Sequence, residues 1–127
     1  MTEPLVGIAA IVVAATRPEL RCVALVLGGL RAKVVVTGDD EAGLAELVGE
    51  IACGAGTARH VLGSPDAATL QTAIARAEAL GRGPHVVVAA ADEGWARDAA
   101  IAPLHVVDAS VCDVPTATAW IAKQRWD

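Results

Sequence analysis

Phenylalanine and tyrosine are absent from this chain of 127 residues, and three Trp are all it has of the large aromatic rings. A core without large rings has to be filled by Ala, Val and Leu, which supply most of a 54% hydrophobic content and a mean hydropathy of +0.49. Such fine-grained aliphatic filling suits helices packed closely on a sheet. Basic residues are also short: 10 Lys and Arg stand against 15 Asp and Glu, for a net charge of −5 and a pI near 5.1. A field of that sign repels phosphate backbones, so no nucleic-acid partner is expected. Cys22, Cys53 and Cys112 are too few and too scattered for a C-x-x-C zinc or redox pair, and they read as small reduced fillers. No apolar run is long. The longest, Leu5 to Ala15, stops at Thr16-Arg17 well short of the ~20 residues that cross a bilayer, so no membrane partner is expected. Ahead of it stands Glu3 rather than a basic stretch, which argues against a secretory leader and for a cytoplasmic location.

What the chain does have is a regular alternation. Buried-strand patterns recur at Ile8 to Ala14, Lys33 to Thr37, Arg59 to Gly63, His85 to Ala90 and Leu104 to Asp108. Their starts are spaced by about one strand, one helix and two short loops. Between them, Leu44, Leu47, Val48 and Ile51 form one helical stripe, and Leu70, Ile74 and Ala77 another. Thr16-Arg17-Pro18-Glu19 reads as a capping box with Pro in the first turn, and Ser64-Pro65-Asp66 as a second cap. Gly28-Gly29, Gly54 and Gly81 fall where helices should stop, and Cys22 to Leu27 fits strand as well as helix. No linker or low-complexity block divides residues 1–127. The expectation is a single α/β domain: a three-layer Rossmann-like sandwich with a five-stranded, mostly parallel sheet and helices on both faces.

In an open parallel sheet, ligands bind beyond the carboxyl ends of the strands. The segments there read Gly38-Asp39-Asp40-Glu41, Ser64-Pro65-Asp66, Asp92-Glu93-Gly94 and Asp108-Ala109-Ser110. Carboxylates line that edge, and Asp39, Asp40 and Asp92 are the candidate ligands of a Mg²⁺ ion, a hard cation that takes oxygen donors. The competing explanation is that Asp and Ser at these positions cap the helices that follow, Asp39 or Asp40 capping the one that begins near Glu41.

From Lys33 to Ser110 the motifs "VVVTG", "ARHVLGSPDAATL", "ALG", "HVVVAAAD" and "PLHVVDAS" resemble, in order, those of the short-chain dehydrogenase/reductases, in particular the polyketide ketoreductase branch. The resemblance implies a dinucleotide site. Its T-G-x-x-x-G-x-G turn would place Thr37 and Gly38 under the pyrophosphate, with Asp39 in the same loop, and Asp92 would contact the adenine. The departures are large. Ala42 and Leu44 stand where the second and third glycines belong, and Asp39, Asp40 and Glu41 would repel phosphate. The next family motif survives only as Asp108-Ala109-Ser110-Val111, and the family's proton donor, the Tyr of Y-x-x-x-K, has no counterpart among these residues. Residues 1–32 form an additional βα unit with no place ahead of such a fold. No cofactor is therefore expected, with Mg²⁺ the one candidate.

Three rival motifs are weaker. Cys53 to Arg59, "CGAGTAR", fits the C-x₅-R of tyrosine phosphatases, but that loop needs a strand before the Cys and a helix after the Arg, and the order here is the reverse. His60, His85 and His105 each open a strand at the edge opposite the ligand side, which does not converge them on zinc. A receiver domain, with Asp39 and Asp40 as acidic pair and Asp92 as phosphoacceptor, would need a strand ending in Lys after Asp108, and none is there. Trp120 and Trp126 lie six residues apart on a final helix after Pro115, about 120° from each other around its axis. One can face the sheet while the other serves as an interface anchor. The sequence thus leads to a non-catalytic pseudo-reductase: a binding, structural or partner subunit that forms a homo-oligomer or meets a dedicated protein partner. The runner-up is a Mg-dependent enzyme, or a protein binding a nucleotide or phosphate ligand, that uses the acidic strand ends.

Overall fold

The computed structural model describes residues 8–54, 56–64, 66–79, 86–90, 104–107, 111 and 113–124. Five strands form one sheet: β1 (Ala9–Val12), β2 (Lys33–Gly38), β3 (Thr57–Leu62), β4 (Val86–Ala90) and β5 (Leu104–Val107). Every pairing is parallel and the order is β3-β2-β1-β4-β5. Among the described residues four helices accompany them: α1 (Pro18–Gly29), α2 (Glu41–Cys53), α3 (Ala67–Ala79) and α4 (Val114–Ala122). The alternating α/β reading, with its five strands, is what the chain adopts.

The central strands are buried on both faces, because β1, β4 and the Val34–Val36 run of β2 are apolar at every position, and the period of two divides them between two cores, while edge strand β3 leaves Arg59, His60 and Leu62 exposed. Ala10, Val12, Val34, Val36, Val86 and Val88 meet α1, α2 and α4 through Leu20, Leu27, Leu44, Leu47 and Ile121. Ile11, Val13, Val35, Val87 and Ala89 meet α3 through Leu70, Ala73 and Ile74. Each fully buried Val or Leu contributes about 1.5–3 kcal/mol relative to exposure, and both cores consist of such small units.

One open local choice is settled and two expectations are revised. Cys22 to Leu27 is helical, inside α1. Its N-cap is Arg17, with no side-chain cap, so Thr16 is not the head of a capping box, and Glu19 falls in the first turn and is buried. The glycines near the end of α1 do not supply its stop. Arg31 takes the left-handed conformation at φ 73°, while Arg31 N–H donates to Gly28 O and Ala32 N–H to Leu27 O, which is a Schellman closure. Gly28 serves packing instead: a Cβ there would lie 2.5 Å from Ile51 Cγ2 of α2.

The largest revision concerns residues 1–32. They are not a unit added ahead of a dinucleotide-type fold, because β1 is the central strand of the sheet, flanked by β2 and β4. The strand carrying Thr37 and Gly38 is β2, one place off centre.

Candidate functional site

The chain runs outward from β1 through β2 to β3, then returns to the other side of β1 for β4 and β5. The direction reverses between β1 and β4. In doubly wound sheets the carboxyl ends of those two strands form the ligand crevice, and the turn after the first strand carries the phosphate-binding glycines. Here that turn is Val13-Ala14-Ala15-Thr16-Arg17, with no glycine in it. Ala14 sits at φ 54°, a conformation that glycine adopts freely and a Cβ does not.

The backbone donors of this turn are engaged within the chain. Ala14 N–H donates to Thr37 Oγ1 at 3.2 Å, Ala15 N–H to Thr37 O at 2.8 Å, and Arg17 N–H to Ala14 O at 3.1 Å. Thr37 is buried and holds the first turn against β2. Beyond the turn, Arg17 Nε lies 2.8 Å from Glu19 Oε1, and the Glu19 side chain is only 9% exposed. The approach is not aligned for a hydrogen bond, and that oxygen is buried without one.

The end of β2 forms the neighbouring wall. Gly38 faces Leu44, whose Cδ2 would be 3.3 Å from an added Cβ, so its lack of a side chain lets α2 close onto the strand. Asp40 is the N-cap of α2, accepting from Gly43 N–H at 3.1 Å. Gly43 lies between this cap and the first turn, since a Cβ there would come 2.8 Å from Asp40 Oδ2 and 3.0 Å from Thr16 Cγ2. Asp39 is exposed beside the cap. In dinucleotide domains an acid about twenty residues beyond the first turn bonds the ribose hydroxyls, and Asp39 stands at that distance.

Thr37, Gly38, Asp39 and Asp40 thus gather at one strand end, with Thr37 and Asp40 already serving internal bonds. Asp92, like Glu93 and Asp108, lies outside the described residues. Among the described residues no group of three or more His, Cys, Asp and Glu side chains could hold a metal ion. Asp66 caps α3 through Thr69 N–H at 3.0 Å. Asp113 caps α4 through Thr116 N–H at 2.8 Å, and that backbone hydrogen bond, with help from the Thr116 side chain, holds its carboxyl below the usual aspartate value.

His60 and His105 do not open their strands. His60 is the fourth residue of β3 and His105 the second of β5, while His85 lies outside the described residues. The register places His60, Val36, Val12, Val88 and His105 in one row across the sheet. Four strand spacings, roughly 19 Å, separate the two imidazoles. They cannot share a metal. Cys53 ends α2 and Arg59 lies in β3, the reverse of a phosphatase loop. Trp120 packs against the first core and meets His105 edge-on, with ring centroids 6.3 Å apart, whereas Trp126 lies outside the described residues. The sequence reading missed Ala14, Arg17 and Glu19. The available signal was the end of the first apolar run at Thr16-Arg17-Pro18, which is where a first strand gives way to its helix.

No protein-family model matches this chain, and no curated protein does. Solved structures do. The fold is similar to that of the hydroxysteroid dehydrogenase of Escherichia coli, at 21% identity and a TM-score of 0.59, with 68% of this chain and 37% of that one covered. A dehydrogenase/reductase from Sinorhizobium meliloti is similar at 29% identity and a TM-score of 0.60, over 66% of this chain and 34% of its own. The reductase LugOII, described as promiscuous and as catalysing keto-reduction in lugdunomycin biosynthesis, matches at 24% identity and a TM-score of 0.61, over 68% and 39%. The chain is therefore a Rossmann-like domain of the kind found in short-chain dehydrogenase/reductases. It spans little more than a third of the length of these proteins.

Proposed function

We propose that this domain, taken as one unit over residues 1–127, is non-catalytic: a pseudo-reductase that acts as a binding, structural or partner subunit. The observation that carries this reading is the first turn, where a working dinucleotide site offers glycine backbone N–H groups to pyrophosphate. Here the N–H groups of Ala14, Ala15 and Arg17 are engaged inside the chain and the left-handed position bears a methyl. Tyrosine is absent from these residues, so the phenolic proton donor of the resembling family is not theirs to supply. The reading includes no resident cofactor and a protein partner, a second copy or a dedicated one, met through a surface that includes Trp120 and Trp126. A cytoplasmic location belongs to it, in keeping with the unbridged thiol of Cys53. No described helix is long and apolar enough to cross a membrane.

Calorimetric titration with NAD(H) and NADP(H) tests the core of this reading. The expected result is no saturable binding, and a dissociation constant below about 100 μM, roughly −5.5 kcal/mol, overturns it. Sedimentation of the wild type against Trp126→Ala tests the interface, which is wrong if the wild type is a lone monomer with no partner or if the variant keeps the same assembly.

A second reading is favoured by Asp39. Exposed at the end of β2 where a ribose-binding acid belongs, it suits a nucleoside-like ligand, or a Mg²⁺ ion held with Asp40 and Asp92. Asp39→Asn abolishes any such binding while leaving the Asp40 cap intact.

A further inference from the structure

We infer that the outer face shared by α1 and α4 is an interface with a second copy of this chain, in which the two α4 helices pack antiparallel about a twofold axis at Thr118. This rests on the reading of the chain as a partner subunit, and it names the partner and the surface.

A groove of about 420 Å³ runs between the two helices, lined by Leu25, Val26, Gly29 and Leu30 at the end of α1 and by Val114 and Thr118 of α4. Val114 is 49% exposed beside it. No charged side chain occurs from Cys22 to Leu30 or from Val114 to Ala122, so the whole surface is without charge. A helix that is apolar around its full circumference belongs in an interior, yet Leu25, Val26 and Leu30 are only half-buried in the single chain. The other helices differ: α2 turns Glu41, Glu46 and Glu50 to water, and α3 turns Arg76 and Glu78. Gly29 points the same way. It lies within α1, and a Cβ on it would meet nothing within 4 Å. Glycine weakens a helix, and neither the backbone nor packing inside the chain calls for one at this position, in contrast to Gly28. Its missing side chain leaves the groove floor open to close approach from outside.

Charge selects the occupant. At a net charge of −5 two copies repel each other, so they meet at least cost through a face that has no charge of its own. The charges that bound this face are opposite: Asp113 caps the amino end of α4 and Lys123 the carboxyl end, and both are exposed. Thr118 stands midway between them in the sequence, exposed on the groove. An antiparallel α4 from a second copy, centred on Thr118, sets each Asp113 beside the other copy's Lys123, whereas a parallel one would oppose like charges. The contact is isologous and closes at two copies.

Sedimentation of the full chain over a range of concentrations compares the wild type with Gly29→Lys, Thr118→Glu and Lys123→Glu, each checked for fold by circular dichroism. The wild type should form a dimer. Gly29→Lys puts a charge into the groove and Thr118→Glu sets two carboxylates face to face at the axis, so each should raise the dimer dissociation constant at least about tenfold. Gly29→Lys also replaces glycine by a better helix former, so loss of the dimer there is not loss of the fold. Lys123→Glu opposes Asp113 and should weaken the dimer by a smaller factor, which adding Asp113→Asn, a change that keeps the cap acceptor, restores in part. A wild type that stays monomeric at every concentration overturns the inference, as do folded Gly29→Lys and Thr118→Glu chains that dimerise as the wild type does. A Lys123→Glu chain with unchanged dimerisation overturns the antiparallel arrangement. A dimer lost in Trp126→Ala but kept in the two groove variants assigns the contact to the surface proposed above and overturns this one. A monomeric wild type leaves a dedicated partner to that reading, whereas NAD(H) binding counts against the non-catalytic reading alone.

Discussion

The first and second βα turns lie side by side at one end of the sheet and solve the same problem in opposite ways. After β2, an exposed aspartate bonds the third amide of its helix, a device local to four residues. After β1, the chain turns through a left-handed alanine, donates inward to Thr37 and buries Glu19 against Arg17. The second turn is self-sufficient, and the first depends on what is packed around it. That difference follows from surroundings: Asp39 and Asp40 of the second turn face water, while the first turn ends the central strand and is tied to β2 through Thr37. A helix start that is not closed by its own side chain has to be closed by something else.

If α1 is not anchored by a cap, its other end must bear more of the load. Gly28 of α1 lies against Ile51 of α2, and an added Cβ would sit 2.5 Å from Cγ2. Gly28→Val is therefore expected to have the largest effect, a loss of about 2–3 kcal/mol from overpacking, read as a shift in denaturant midpoint at unchanged slope. A loss under about 1 kcal/mol would show that α1 can slide, and that its amino end is held after all.

The caps come next in size. Asp40→Ala and Asp66→Ala should each cost about 1 kcal/mol, whereas Thr16→Ala, at the position that the sequence pattern marks as a cap, should stay within about 0.5 kcal/mol of the wild type. Equal losses at Thr16 and Asp40 would erase the contrast between the two turns. Asp113 offers the same test through pH. Its folded pKa is depressed by the Thr116 amide, so the native state binds fewer protons than the unfolded chain. Its contribution is fully present above the unfolded value of about 3.9 and is lost as the pH falls through the lower folded value. Asp113→Asn keeps an acceptor for the amide and should flatten that part of the acid-stability profile.

The strands and the layer plan were legible because β-branched runs and helical stripes are local signals, and burial then acts on them directly. The strand order was not, since nothing in a parallel strand names its neighbour. That one ambiguity moved the whole site: the Thr37-Gly38 pair looks like a phosphate turn only if its strand is central, and the structure puts it on β2. The caps at Asp40 and Asp66 were readable because a cap acts within four residues. Glu19 was not, because Thr-x-x-Glu spacing marks a capping box whether the carboxylate returns to the backbone or turns into the protein. The outcome depends on Pro18 placing the helix start after Arg17, and on the tertiary charge that receives the acid.

The finest test sets two residues in the same backbone conformation against each other. Ala14, in the turn after β1, and Arg31, just past the end of α1, have φ values of 54° and 73°. For a residue with a Cβ, the left-handed region costs roughly 1–2 kcal/mol, and glycine removes that cost while adding some unfolded-state entropy. At Arg31 the side chain is exposed and little else changes, so Arg31→Gly should stabilise by about 0.5–1 kcal/mol, the usual advantage of glycine in a Schellman closure. Ala14 differs because its methyl is half-buried and packs against both cores. Losing a buried methyl costs up to about 0.8 kcal/mol, which offsets most of the conformational gain, so Ala14→Gly should leave stability nearly unchanged. Chemical denaturation of the two variants in parallel decides between them. If Ala14→Gly stabilises as much as Arg31→Gly, the methyl contributes nothing to packing, and the first turn is only a glycine turn that has lost its glycine.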